Sequence, residues 1–70
     1  MKFDADGFAA RLRGKRAELD MTQQQLADLA GVSQGSIFQY EDGGRLPGAD
    51  KLCAIAQALG VTPNYLLGWE

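Results

Sequence analysis

The chain has no histidine, a single cysteine (Cys53) and two prolines in 70 residues. Without histidine it lacks the commonest general base, and one thiol cannot assemble a zinc site of the usual ligand set. An internal disulfide is impossible, so a reducing cytoplasm is the expected compartment. No apolar run approaches the roughly 20 residues that cross a bilayer, and the opening residues carry no secretory signal. No membrane partner is therefore expected. Paired nucleophile and base, phosphate-binding loop and metal cluster are all missing. The expectation is no catalytic residue, no metal and no cofactor, and hence no enzyme. Cys53 reads as a half-buried small apolar residue with little reason to react.

What is present is ordinary for a globular protein: 46% hydrophobic and 23% charged residues. Seventy residues make at most one domain (1–70), with a core only just large enough to fold. The net charge of -2 runs against a strong nucleic-acid binder. Its distribution softens that objection, because Arg11, Arg13, Lys15 and Arg16 cluster while Glu18, Asp20 and Asp28 lie further along. A phosphate responds to the local potential of the docking face rather than to the sum over the chain.

Every segment reads as helix and none as strand. Phe8, Leu12 and Leu19, with Arg16 between them, mark one face of a helix from about Gly7 to Asp20, with Asp6 as its N-cap. Asp4-Ala5-Asp6-Gly7 shares the start of a calcium loop but lacks the later ligands, so capping is the better account. Thr22 opens a second helix, with Gln25 completing a capping box and Leu26, Ala27 and Ala30 as its buried face. Gly31 ends it, and Ser33 caps a third helix from Gln34 to about Tyr40, with Ile37 and Tyr40 inward and Gly43-Gly44 closing it. A fourth runs from Ala49 to about Ala58, with Leu52, Ile55, Ala56 and Leu59 as core positions and Gly60 at its end. Thr62-Pro63 starts a short last helix carrying Tyr65, Leu66 and Leu67. The fold class is all-α, a compact five-helix domain.

The informative stretch is QQQLADLAGVSQGSIFQYED, Gln23 to Asp42. Two helices crossing steeply need a small side chain where they touch, which Ala27 supplies. Gly31 permits the tight turn between them, and Ile37 anchors the second helix on the first. With these residues in place, the chain resembles the phage repressor and Cro-type (XRE-like) helix-turn-helix family, lambda-repressor-like in fold. The resemblance runs from Phe8 to Leu67: LRGKR, MTQQQLADLAGVSQGSI, YEDG, LCAIAQALGV and PNYLL occur in the family's order.

The resemblance implies sequence-specific binding to double-stranded DNA, with the motif at about 23–42 and a recognition helix at about 33–40 in the major groove. It places Gln34, Gly35, Ser36 and Gln39 at base-reading positions, and a glutamine amide can pair bidentately with adenine. Gln23 falls where the family puts a side chain on the DNA backbone, with Arg45 the next phosphate candidate, Lys15 and Lys51 weaker ones, and Arg16 a structural residue first and a phosphate contact second. Arg16 and Glu41 match a structural ion pair. The resemblance sets a subunit contact near Pro63, Asn64, Leu67 and Trp69, although packing of Trp69 on its own helix is an equal alternative.

One recognition helix reads only about four or five base pairs, too few for a useful specificity ratio. A homodimer on a pseudo-palindromic operator is therefore expected, acting as a transcriptional repressor. Some residues depart from the family pattern. Gly35 is small where relatives carry a longer polar side chain, and the recognition helix has no Arg or Lys. Leu29 and Phe38 are apolar where polar residues are common. Packing against a neighbour is the expectation for Phe38, with a thymine-methyl contact or a protein partner as alternatives. Those departures also motivate two other readings, an antitoxin-type regulator and a protein-interaction module that no longer binds DNA.

Overall fold

The computed structural model describes residues 2–69. Five helices occur among them: α1 (Ala5–Glu18), α2 (Gln23–Ala30), α3 (Gln34–Glu41), α4 (Ala49–Leu59) and α5 (Pro63–Leu67). No strand is formed by the described residues. None of the helices is long and apolar enough to cross a membrane.

The local signals act at most helix ends. Thr22 Oγ1 accepts from the Gln25 N–H at 3.0 Å, and Gln25 Oε1 accepts from the Thr22 N–H at 2.8 Å, a complete capping box. Ser33 Oγ accepts from the Ser36 N–H at 3.0 Å, and Thr62 Oγ1 from the Tyr65 N–H at 3.0 Å. Gly31, with φ +71°, carries the chain from α2 into the turn before α3.

α1 differs from its expected course at both ends. It begins at Ala5, so Asp4 rather than Asp6 occupies the N-cap position, and Asp4 makes no capping hydrogen bond. Asp6 lies in the first turn, where its charge still complements the helix dipole. Two aspartates two residues apart offer alternative starts, which sequence does not separate. At the other end the helix stops at Glu18, and Asp20 turns left-handed at φ +56°. Leu19 is consequently 42% exposed rather than in line with Phe8 and Leu12. Met21, the next apolar residue, packs against the core instead.

The core joins Phe8 and Leu12 of α1, Leu26 and Ala27 of α2, Ile37 and Tyr40 of α3, Ile55, Ala56 and Leu59 of α4, and Leu66 of α5. α2 packs on both α3 and α4, and α1 packs on α3 and α5. Ala27 is completely buried, as a small residue at a steep helix crossing must be. On α4 the inward arc is Leu52, Ile55, Ala56 and Leu59, with Leu52 only partly covered. Cys53 follows Leu52 by a 100° helical step and lands on the outside, exposed rather than half-buried.

Candidate nucleic-acid interface

The outer face of α3 follows from its inner one. Ile37, Tyr40 and Glu41 are buried, which turns Gln34, Gly35, Phe38 and Gln39 toward solvent. Ser36 sits at the margin, half-buried, with its hydroxyl accepting a 2.9 Å hydrogen bond from Ser33 Oγ. Of the four sequence-selected base-reading positions, three are exposed and Ser36 is partly tied to its helix cap.

The two glutamine amides are held by different neighbours. Gln34 Nε2 donates to Gln23 Oε1 at 2.6 Å. Gln23 Nε2 in turn donates to Glu41 Oε1 at 3.1 Å. The directions are dictated by chemistry: an ionised carboxylate only accepts, so Gln23 must present its amino group to Glu41 and its oxygen to Gln34. Gln39 Oε1 accepts from Arg45 Nη1 at 3.2 Å, and the Arg45 guanidinium lies 5.8 Å from the Tyr40 ring centroid. Each amide keeps free hydrogen-bonding capacity toward solvent, and each starts from a restrained orientation.

Glu41 is the hub behind this face. Its side chain is only 3% exposed, and its carboxylate accepts from Arg16 Nε at 2.6 Å and Arg16 Nη2 at 3.0 Å. This fork satisfies a buried charge that would otherwise be costly. Arg16 Nη1 also donates to the Met21 carbonyl at 2.7 Å, closing the turn between α1 and α2. The hydrogen bond to Glu41 is the main cause holding the Arg16 guanidinium pKa above its ordinary value, with desolvation opposing it. Arg16 and Glu41 thus pair as the sequence pattern implied, and Arg16 is turned inward rather than offered to an external phosphate.

The remaining sequence candidates are spread around α1, α2 and α4. Gln23 occupies the first position of α2, between the Glu41 hub and Gln34. Lys15 forms an ion pair with Glu18 at 3.2 Å, so its charge is locally compensated. Arg45 is exposed next to Gln39, and Lys51 is exposed on α4. Pro63, Asn64, Leu67 and Trp69 lie on or just after α5, with Asn64 and Trp69 exposed and the other two half-buried. Trp69 is 52% exposed, so it is not folded into the core of its own chain.

Sequence reasoning missed two arginines that brace the interface. Arg13 Nη1 donates to the Glu41 carbonyl at 2.6 Å, fixing the C-terminus of α3 on α1. Arg11 Nε donates to the Leu66 carbonyl at 2.9 Å, doing the same for α5. A cation spaced along α1 gives no sign of which helix terminus it will meet, although helix carbonyl ends favour such partners. Phe38 is also different from expectation: at 53% exposed, it is not packed away against a neighbour.

Comparison with known proteins gives this geometry a context. A helix-turn-helix family model, HTH_3, matches residues 12–66. The HTH-type transcriptional regulator PrtR of Pseudomonas aeruginosa is 44% identical over 61 residues, covering 87% of this chain and 23% of the relative. Repressor protein C2 of Salmonella phage P22 is 37% identical over 57 residues, covering 81% of this chain and 26% of the relative. The chain therefore spans about a quarter of the length of these two proteins. The crystal structure of the P22 c2 repressor in complex with a synthetic operator superposes with a TM-score of 0.86 at 33% identity, covering 90% of this chain and 96% of that one. These relatives are regulators and repressors rather than enzymes. The five-helix fold, the braced α2–α3 pair and the family match together place the chain in the phage repressor and Cro-type (XRE) helix-turn-helix family.

Proposed function

We propose that this protein binds a short duplex DNA site with sequence preference, as a homodimer in the cytoplasm, and represses transcription by occupying an operator over a promoter. The observation that carries the proposal is the pairing of exposed, pre-oriented amides on α3: Gln34 held by Gln23, and Gln39 held by Arg45. In this reading residues 1–70 are one DNA-binding unit, residues 23–42 its motif and residues 33–40 the recognition helix in the major groove. Gln34 and Gln39 pair with adenines, Gly35 lets the helix backbone approach the base edges, and Ser36 contacts the flank of the site. Gln23, at the N-terminus of α2, and Arg45 approach phosphates.

Dimerisation completes the reading. The body measures 32 × 23 × 21 Å, so two copies fit side by side with their recognition helices one DNA turn, about 34 Å, apart. Asn64 and Trp69, both exposed at α5, would meet the partner, with the half-buried Pro63 and Leu67 beside them. P22 c2, similar in fold, binds an operator in its crystal structure.

Selection from random duplexes at low salt tests the whole proposal. The expected outcome is an enriched inverted repeat, with adenine-containing half-sites centred about one helical turn apart. Enrichment of no sequence above background would overturn it. A single unrepeated half-site would remove the dimer and leave the readout.

A further inference from the structure

Phe38 lies on the exposed face of α3, between Gln34 and Gly35 around the helix. Measured around the helix from Gln34, Phe38 falls at about 40°, Gly35 at about 100° and Gln39 at about 140°. Ile37, Tyr40 and Glu41 fill the buried arc on the other side. A phenyl ring 53% exposed between two glutamines gains little from its own fold. Gly35 is equally out of place there. It lies inside α3 and is not among the glycines with positive φ, so no backbone conformation demands it. A Cβ at Gly35 would meet no atom within 4 Å. The Phe38 side chain, three residues on, does not reach into that space. Gly35 thus leaves a gap in the side-chain surface one helical turn before the exposed Phe38, a shallow notch with the Gly35 backbone as its floor.

We infer that this notch takes the C5-methyl group of a thymine, adding a methyl-dependent step to the readout by Gln34 and Gln39. The inference rests on the DNA-binding reading above. In the major groove thymine is marked by that methyl, and an aromatic side chain is a suitable contact for it. An adenine read by either glutamine brings its paired thymine to the same groove edge, so methyl and amide contacts fall within reach of one helix face. The small residue at position 35 lets the methyl sit beside the ring, where a longer side chain would occupy the space.

The test starts from the best duplex that the unmodified protein selects. Each thymine is replaced in turn by deoxyuridine, which removes the methyl group and leaves base pairing intact. One position per half-site should weaken binding by about fourfold, the equivalent of one buried methyl group. At that position Phe38→Ala should bind thymine and deoxyuridine duplexes equally. Gly35→Leu, filling the notch, should abolish the preference as well. If deoxyuridine is tolerated at every position, or if its penalty persists in Phe38→Ala, the notch is refuted while DNA binding stands. If no duplex is selected at all, the DNA reading fails and takes the notch with it. The deoxyuridine series on the unmodified protein decides the question even if a variant folds poorly.

Discussion

Gln34 and Gln23, eleven residues apart on different helices, share a 2.6 Å hydrogen bond that joins α3's exposed face to the start of α2. Because Gln23 is itself anchored to Glu41 at 3.1 Å, the bond transmits a buried constraint to an exposed amide. Gln23→Ala should therefore lower base discrimination as well as overall affinity. The affinity ratio between the selected site and a variant altered at the Gln34 base should fall by a few-fold. A uniform loss, with that ratio intact, would reduce Gln23 to a phosphate contact. As Gln23 is neutral, the slope of log K against log salt should hardly change.

Gln34→Ala and Gln39→Ala should each cost about 1–3 kcal/mol on the selected duplex and erase preference at one position per half-site. The positions should differ, since the two amides are restrained by different partners, Gln23 and Arg45. Repeating the selection with each variant reads this out directly. An unchanged sequence preference in either variant would remove that glutamine from the readout.

Arg45 combines two roles that a salt titration separates. Its guanidinium restrains Gln39 at 3.2 Å and stacks near Tyr40, yet it is exposed and free to face a phosphate. Arg45→Ala should flatten the salt slope by about 0.9 per subunit, because one counterion release is lost. It should also soften preference at the Gln39 base. Arg45→Lys should restore the slope without restoring that preference, since a point charge lacks the planar fork.

Much of this arrangement is legible in sequence because short-range chemistry sets it. Thr22 with Gln25, Ser33, Gly31 and Thr62-Pro63 each announce a helix end through groups at most three residues apart. Ala27 and Ile37 mark the crossing of α2 and α3 by size and period. What sequence left open depends on where the chain ends meet in space. Leu19 keeps the period of α1 but falls just past the last helical residue, Glu18, beside the left-handed Asp20, so its periodicity misleads. Arg11 and Arg13 look like surface cations until Leu66 and Glu41 arrive at their tips. Phe38 carries no local sign of its exposure, because an apolar residue at a helix margin packs or protrudes according to what lies opposite.

Glu41 should be the most sensitive polar residue in the protein. Glu41→Ala leaves Arg16, whose side chain is 18% exposed, without its fork, and leaves Gln23 without its acceptor. Breaking a buried pair from one side costs about 3–5 kcal/mol, a large share of what a domain this small possesses. Urea unfolding should register that loss, and the double variant Arg16→Met/Glu41→Leu should recover part of it. The pH dependence has a definite sign. The Arg16 pKa is raised in the folded protein, so its contribution is complete below the unfolded value and is lost only as pH climbs through the folded one. Both lie in strongly alkaline solution. With no histidine in the chain, Tm should be flat between about pH 6 and 8. A slope in that interval would show that some other ionisation is coupled to folding.

Two glycines in helices separate folding from function. Gly14 lies inside α1 and Gly35 in the first turn of α3, both with open space where a Cβ would stand. Alanine at either position adds no clash and restricts the unfolded chain. Gly14→Ala should stabilise the protein by about 0.5–1 kcal/mol, and Gly35→Ala by somewhat less, since helix ends fray and propensity counts less there. Gly31→Ala, forced to hold φ +71°, should instead destabilise by about 1 kcal/mol. Their effects on DNA should not follow stability. Gly14→Ala should bind as the unmodified protein does, whereas Gly35→Ala should bind its best duplex more weakly despite the firmer fold, because its added methyl stands on the surface that meets the bases. If Gly35→Ala gains stability and keeps full affinity and thymine preference, position 35 has no part in recognition.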